Sequence, residues 1–250
     1  MDEEQKTVVE TLRNEGIAVL RGVLTDDEID EVRKEFDQAH LDLVGPGIAG
    51  VRDRLTGEGL LPYPALSALY SHPRILEVVS TMLKEPEPFV WKVITNRYNP
   101  EHEGVRKHSD AIQGELSVPY SRQAMAVFLD DVDPESGSLT YVPGTHCLHF
   151  IDPEDPDRLP PSQEEIDEGE YVPTTVNAGD VVFRVPEVWH AVIPIHRLRR
   201  YVTTTYATRR PVSPGLAKRI EEELEERELP IGDVPERLRP LLAVALDRPE

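Results

Sequence analysis

Apolar side chains recur at helical spacing at Val8, Val9 and Leu12, and Gly16 follows as a stop, so the pattern predicts a helix from about Asp2 to Asn14. Ile17-Ala18-Val19-Leu20-Arg21-Gly22-Val23-Leu24 then reads as a short apolar strand. In Thr25-Asp26-Asp27-Glu28 the threonine and the glutamate three residues on form a capping box, which starts a helix running to about Ala39. Gly45 to Tyr63, rich in Gly and Arg, is expected to be loop. Ser71-His72-Pro73 opens a further helix to about Leu83, with proline in the first turn, where its missing N–H costs nothing. Pro86 and Pro88 end it.

From Phe89 onward the pattern changes to short β-rich runs: Phe89 to Arg97, Gln123 to Leu129, Ser138 to Val142, Tyr171 to Val176, Asp180 to Val185 and Tyr201 to Tyr206. Turn residues such as Asp133-Pro134-Glu135-Ser136-Gly137 and Asn177-Ala178-Gly179 separate them. Short strands at this spacing predict a mainly β fold with flanking helices, built on a double-stranded β-helix of the cupin-like jelly-roll kind. The acidic, proline-rich segment Asp152 to Glu170 is expected to be an exposed insertion that closes over the site as a lid. Two helices are expected in the tail, about Gly215 to Glu228 and Val234 to Leu246. The whole is expected to be a single domain: a helical part over about 1–88, the jelly-roll core over about 89–210 and a helical extension over about 211–250.

Composition narrows the partners. The chain has 250 residues, of which 39% are hydrophobic, enough to bury a substantial core. With 47 acidic against 27 basic side chains the formal charge is −20, which repels nucleic acid and anionic membranes at long range. No apolar run is long enough to cross a bilayer, and MDEEQKTVVE lacks the basic end and apolar middle of a signal peptide. The single cysteine, Cys147, excludes an internal disulfide and fits a reducing compartment, so a cytoplasmic protein is expected. One thiol cannot build a structural zinc site, and any metal here must use His and carboxylates. The sequence carries no signal for an oligomeric state.

The candidate chemistry sits in Arg106-Lys107-His108-Ser109-Asp110-Ala111. On a strand, His108 and Asp110 share a face and can chelate one ion. A second such pair, His40-Leu41-Asp42, falls at a predicted helix end, where residues two apart diverge around the axis. Far downstream, the glycine turn and apolar strand of Ala178-Gly179-Asp180-Val181-Val182-Phe183 lead to His190 at a strand end. A His-x-Asp pair plus one distant His is the ligand inventory of the facial triad that holds non-heme Fe(II) and leaves positions open. A bidentate keto acid and O2 could then share one iron. A second carboxylate, as in 2-oxoglutarate, needs a fixed cation, and Arg199 is the candidate because guanidinium takes a carboxylate bidentately. Arg200 points to the opposite face.

The chain resembles the phytanoyl-CoA dioxygenase family of Fe(II)- and 2-oxoglutarate-dependent oxygenases over about Asn14 to Arg210. The pieces that carry the resemblance are GIAVLRGVLTDDEI, the HSD triplet, ESGSLTYVPGTH from Glu135 to His146, and AGDVVFRVPEVWH followed by RRYVTTTYA. The resemblance implies that His108, Asp110 and His190 bind iron and that Arg199 pairs with the distal carboxylate of 2-oxoglutarate. It places Arg97, in TNRYNP, near a lysine that also meets the cosubstrate in related proteins. Pro143-Gly144-Thr145-His146 matches a structural turn, which makes His146 a packed histidine rather than a ligand. Related proteins often follow the second histidine with Gly-Ser, whereas this chain has Ala191-Val192, so Thr203 or Thr205, on the strand parity of Arg199, is the expected replacement for the lost hydroxyl. Similar halogenases lack the carboxylate ligand, and the presence of Asp110 implies hydroxylation, or another oxidation begun by hydrogen abstraction, with 2-oxoglutarate decarboxylated to succinate.

Two other classes stay open at this stage: a metal-dependent cupin-type isomerase or hydrolase, and a non-catalytic small-molecule-binding protein. The expected substrate is a small molecule of specialised or amino-acid metabolism. Arg52, Arg54, Arg106, Lys107, Arg122 and Arg184 are candidates for a local anion site.

Overall fold

The computed structural model describes residues 1–46, 51–210, 212–225 and 236–242. Helix α1 (Glu3–Glu15) is capped by Asp2 and closed by Gly16 at φ 85°, and its Val8, Val9 and Leu12 are buried. Strand β1 (Ile17–Leu20) follows, and then α2 (Asp26–Leu43), which starts at the predicted capping box of Thr25 and Glu28. This helix runs beyond Ala39, because His40 lies on its buried face, stacked on Phe36 and hydrogen-bonded to Thr95. His40 is thereby a core residue. The expected loop from Gly45 to Tyr63 contains a strand, β2 (Arg52–Thr56), which pairs along β3 (Phe89–Tyr98). Its arginines hid an alternation in which Asp53 and Leu55 face the helical core. Helices α3 (Pro64–Leu69) and α4 (Pro73–Leu83) complete the helical layer.

The remaining elements form two facing sheets. One has six strands in the order β1, β8 (Val181–Arg184), β5 (Arg122–Phe128), β10 (Arg199–Ala207), β3 and β2. The other has four strands in the order β4 (Val105–His108), β9 (His190–Val192), β6 (Leu139–Tyr141) and β7 (Val172–Pro173). Every named strand pair is antiparallel, as a jelly roll requires. Of the predicted run from Tyr171 to Val176 only two residues are strand, and Val176 makes an isolated bridge to Val132.

Period-two alternation divides the large sheet into two faces. Val93, Val127, Val181, Phe183, Val202 and Tyr206 turn outward into the main core with α1, α2 and α4. Ile94, Ala126, Phe128, Val182, Tyr201 and Thr203 turn inward, toward the four-stranded sheet, and line a cavity. The insertion carries a short helix, α5 (Gln163–Glu168), capped by Ser162. Lys107 Nζ donates to the Asp167 carbonyl and Gln163 donates to that of Lys107, which ties the insertion to the outside of β4. None of its residues lines the cavity, so the lid expected there is not over the opening. In the tail, α6 (Pro214–Glu225) covers Trp91 through Leu216 and Ile220, and α7 (Arg239–Leu242) follows. The rest of the two predicted tail helices lies outside the described residues. No helix among the described residues is long and apolar enough to cross a membrane.

Strand β4 can lie on β9 only because of Gly104. Its φ is 90°, and a Cβ there would collide with the Val192 carbonyl oxygen. Gly104→Ala combines the cost of a left-handed backbone with this clash, so it should destabilise the fold by about 2 kcal/mol. Thermal unfolding followed by circular dichroism should then show a Tm lower by roughly 4–8 °C for a chain of this size.

Candidate metal and cosubstrate site

The two short strands β4 and β9 meet at the pair His108 and His190, which are direct partners in register. Both imidazoles project into the space between the sheets, with ring centroids 4.1 Å apart. His108 Nδ1 lies 2.8 Å from the Arg106 carbonyl oxygen, and His190 Nδ1 lies 2.9 Å from that of Val188. Each carbonyl accepts the Nδ1 proton, which assigns both rings the tautomer with a bare Nε2. Asp110 follows β4 in a turn whose backbone N–H donates to the Pro186 carbonyl, 3.0 Å away. Its Oδ1 is 3.6 Å from His108 Nε2, and its Oδ2 is 3.9 Å from His190 Nε2. One donor atom from each of the three residues fits within a 4.8 Å span.

The sequence offered Arg184 and Arg122 only as candidates for an anion site, and the anions they hold are Asp110 and Glu187. Arg184 donates from Nη2 to Asp110 Oδ2 at 2.6 Å. Arg122 donates to the Asp110 carbonyl at 3.2 Å and pairs with Glu187, both of them almost fully buried. Burial opposes the charge of Asp110, but Arg184, then His190 and His108, outweigh it and hold the carboxyl well below its usual range. Burial, with Arg184 adding to it, pushes the His190 imidazole down to about 3. A charged carboxylate and a neutral imidazole are the forms that bind a metal. The signal for these supports lay in Arg184 and Glu187 flanking the turn ahead of His190, whereas Arg122 is distant in sequence and only the sheet brings it near.

The cavity under this trio is about 430 Å³. Arg199 lines its other end and is only 4% exposed. Its Nη1 donates to the Gly137 carbonyl at 2.8 Å, and its guanidinium carbon lies 5.2 Å from the Phe128 ring centroid and 5.3 Å from that of Tyr201. No carboxylate among the described residues pairs with it, its Nε has no hydrogen-bond partner, and burial lowers its pKa. Arg200, one residue on, turns to the helical face and pairs with Asp130 and Asp37. Thr203 and Thr205 both line the cavity, with the Thr203 hydroxyl donated to the Met125 carbonyl at 2.6 Å.

Arg97 is the misplaced candidate. It sits at odd parity on β3, faces the helices and bonds Asp53 at 2.8 Å, so the structure does not bring it to the cavity. Asn96 and Tyr98, its neighbours on the inward parity, are there instead. His146 is buried and faces the Arg13 carbonyl, and Trp189 is buried with its indole N–H donated to His149, so both are packing residues.

Two facing sheets with a His, Asp and His trio between them are the arrangement expected of iron- and 2-oxoglutarate-dependent enzymes, and the family match places the chain in that class. The comparisons agree on fold and family. Residues 12–195 match the phytanoyl-CoA dioxygenase (PhyH) family, and the chain belongs to it. The match stops just short of Arg199. No curated protein sequence matches the chain. Among solved structures it is similar to the epimerase SnoN in complex with Fe3+, alpha ketoglutarate and nogalamycin RO, at 21% identity and TM-score 0.68, over 98% of this chain and 96% of that one. It is also similar to the non-heme alpha ketoglutarate dependent carbocyclase SnoK, at 21% identity and TM-score 0.64, covering 82% and 84%. HygX from Streptomyces hygroscopicus with nickel and 2-oxoglutarate bound matches at 20% identity and TM-score 0.63, covering 83% and 87%.

Arg184 grips one Asp110 oxygen and leaves the other turned to His108. Replacing Arg184 with Met should loosen the carboxylate and weaken Fe(II) binding about 10- to 100-fold, as loss of an outer hydrogen bond to a metal ligand does. Anaerobic calorimetric titration of the wild type and the variant measures this.

Proposed function

We propose that His108, Asp110 and His190 hold Fe(II), that Arg199 holds the distal carboxylate of 2-oxoglutarate, and that the protein hydroxylates a small molecule. The donor set fits the ion: two imidazole nitrogens and one carboxylate oxygen on one side leave the cavity side open. The observation that carries the reading is Arg199. A guanidinium so deeply buried, in the same cavity as the trio and with no acid beside it, is costly unless an anion arrives to pair with it. A cupin-type isomerase or hydrolase would use the trio but has no use for Arg199.

When bound, the iron supplies oxidation of a substrate C–H by O2, with 2-oxoglutarate decarboxylated to succinate and CO2. The protein residues bind and orient. The carbonyls of Arg106 and Val188 fix both Nε2 lone pairs toward one point, and Arg184 and Arg122 fix Asp110 beside them. Arg199 sets the direction in which the keto acid lies, from the trio past Thr203 toward Tyr201. The Thr203 hydroxyl already donates to the Met125 carbonyl, so Thr205 is the better candidate to donate a hydrogen bond to the keto acid. Apolar Ile94, Ala126, Phe128 and Val182 line the space between and exclude water.

Asp110 as third ligand would leave no position for a halide, which favours hydroxylation, or another oxidation begun by hydrogen abstraction, over halogenation. A product or substrate of specialised or amino-acid metabolism suits the cavity volume, and the similar structures of SnoN and HygX hold nogalamycin RO and hygromycin B.

Anaerobic addition of Fe(II) and then 2-oxoglutarate should produce the visible charge-transfer band of a bidentate keto-acid chelate. His108→Ala should abolish the band. Arg199→Ala should retain it but need at least about tenfold more 2-oxoglutarate, since a buried, charge-assisted pair has been cut. Metal binding with no band in the wild type would move the hydrolase or binding-protein reading to the front.

A further inference from the structure

The cavity carries the opposite charge to the protein. In a chain of formal charge −20, seven Arg and Lys side chains line it against one carboxylate, Asp110, among the described residues. Three of the seven already have a role: Arg199 at the deep end, and Arg122 and Arg184 around Asp110. Arg52 lies near the deep end as well, since it faces the Tyr98 ring that Arg199 also approaches. That leaves Arg54, Lys92 and Arg219.

These three gather elsewhere. On the inward face of the large sheet, Lys92 is level with Thr205, Thr205 with Ala124, and Ala124 with Arg184, the residue that grips Asp110. Arg199 is level with Tyr98, six residues further along β3, which is roughly 20 Å of strand. One small diacid cannot serve both ends. Arg219 reaches in from α6, and it and Lys92 share a single carboxylate, Glu223, at 3.2 and 3.0 Å. Arg54, exposed on the edge strand β2, has no carboxylate partner among the described residues and is close enough to Lys92, with Arg219, to disfavour its charge. The indole of Trp91 lies beneath, 4.4 Å from Lys92 Nζ and 5.6 Å from the Arg219 guanidinium carbon, buried and with its N–H unpartnered. Three cations against one acid among the described residues, at the end of the large sheet away from Arg199, leave positive charge uncompensated in the cavity wall.

We propose that Arg54, Lys92 and Arg219 form a second anion site, which holds a carboxylate or phosphate group of the primary substrate while its oxidised carbon lies beside the metal. This rests on the iron and 2-oxoglutarate reading above and adds the substrate class. The substrate is then an anion, selected at short range by a basic cavity in an acidic protein. Neither Arg106 nor Lys107, the other basic candidates, lines the cavity, and Lys107 is occupied by the insertion.

The test titrates benzoate and, in a second arm, inorganic phosphate into the anaerobic complex with Fe(II) and 2-oxoglutarate while Trp91 emission is followed. Benzamide controls for charge and Trp91→Phe for the origin of the signal. The expected result is saturable binding of at least one anion, weakened about tenfold in Arg219→Gln and several-fold in Arg54→Ala, with the 2-oxoglutarate affinity of both variants unchanged. The anion that binds more tightly separates a carboxylate from a phosphate substrate. Arg54 carries no ion pair among the described residues, so its variant keeps the test valid should Arg219→Gln unfold. Three results overturn the proposal: benzamide binding as tightly as both anions, anion binding indifferent to both substitutions, or 2-oxoglutarate affinity falling in them as far as in Arg199→Ala. A normal chelate band with no anion binding sinks this inference alone, whereas absence of the band in the wild type sinks the reading beneath it.

Discussion

The site depends on four residues of β4 lying antiparallel against three of β9. That pairing makes His108 and His190 register partners, although they are far apart in sequence, and it leaves the turn after β4 free to swing Asp110 back over them. Neither strand is long enough to be stable alone. The pair persists because Gly104 lets the backbones approach, because Asp110 bonds Pro186 across the gap, and because the insertion is tied to the outer side of β4 through Lys107. The insertion therefore braces the ligand strand from outside. The six-stranded sheet, fastened to its helices by an apolar face, is the rigid wall against which this small sheet is set.

Charge is arranged at two scales. The chain as a whole is strongly acidic, while the cavity is lined by cations that few acids answer. Inside, the arginines divide the work by their partners. Arg200 is satisfied by two aspartates and is structural. Arg184 and Arg122 spend their hydrogen bonds on Asp110 and Glu187. Arg199, held by one carbonyl and three aromatic rings, has bonding capacity left over and a strong electrostatic reason to acquire an anion. The family match ends at residue 195, so the role of this arginine rests on geometry.

Much of this was legible in the sequence wherever local chemistry decides structure. The Thr25 capping box, the Gly16 stop and the alternation of β3, β5 and β10 each follow from a few adjacent residues, and each stands in the structure. The trio was legible because His-x-Asp and a distant His are a rare inventory in the company of the other motifs. What escaped was set by parity or by long-range contact. Arg97 was assigned from its neighbourhood in TNRYNP, but one step along a strand reverses the face, and Asp53 on β2 claimed it. Strand β2 itself was missed because the residues on its cavity face are arginines and its partner is more than thirty residues away. The lid failed for a related reason: exposure of an acidic segment says nothing about which side of a strand it will rest on.

The most direct test of the central claim is a crystal structure grown anaerobically with Mn(II) in place of iron and with 2-oxoglutarate, read by anomalous scattering at the manganese edge. The account predicts one strong peak bounded by His108 Nε2, His190 Nε2 and a carboxylate oxygen of Asp110, and a keto acid running from it to a bidentate contact with Arg199. A peak at another set of ligands, or a keto acid whose distal carboxylate lies away from Arg199, would contradict it.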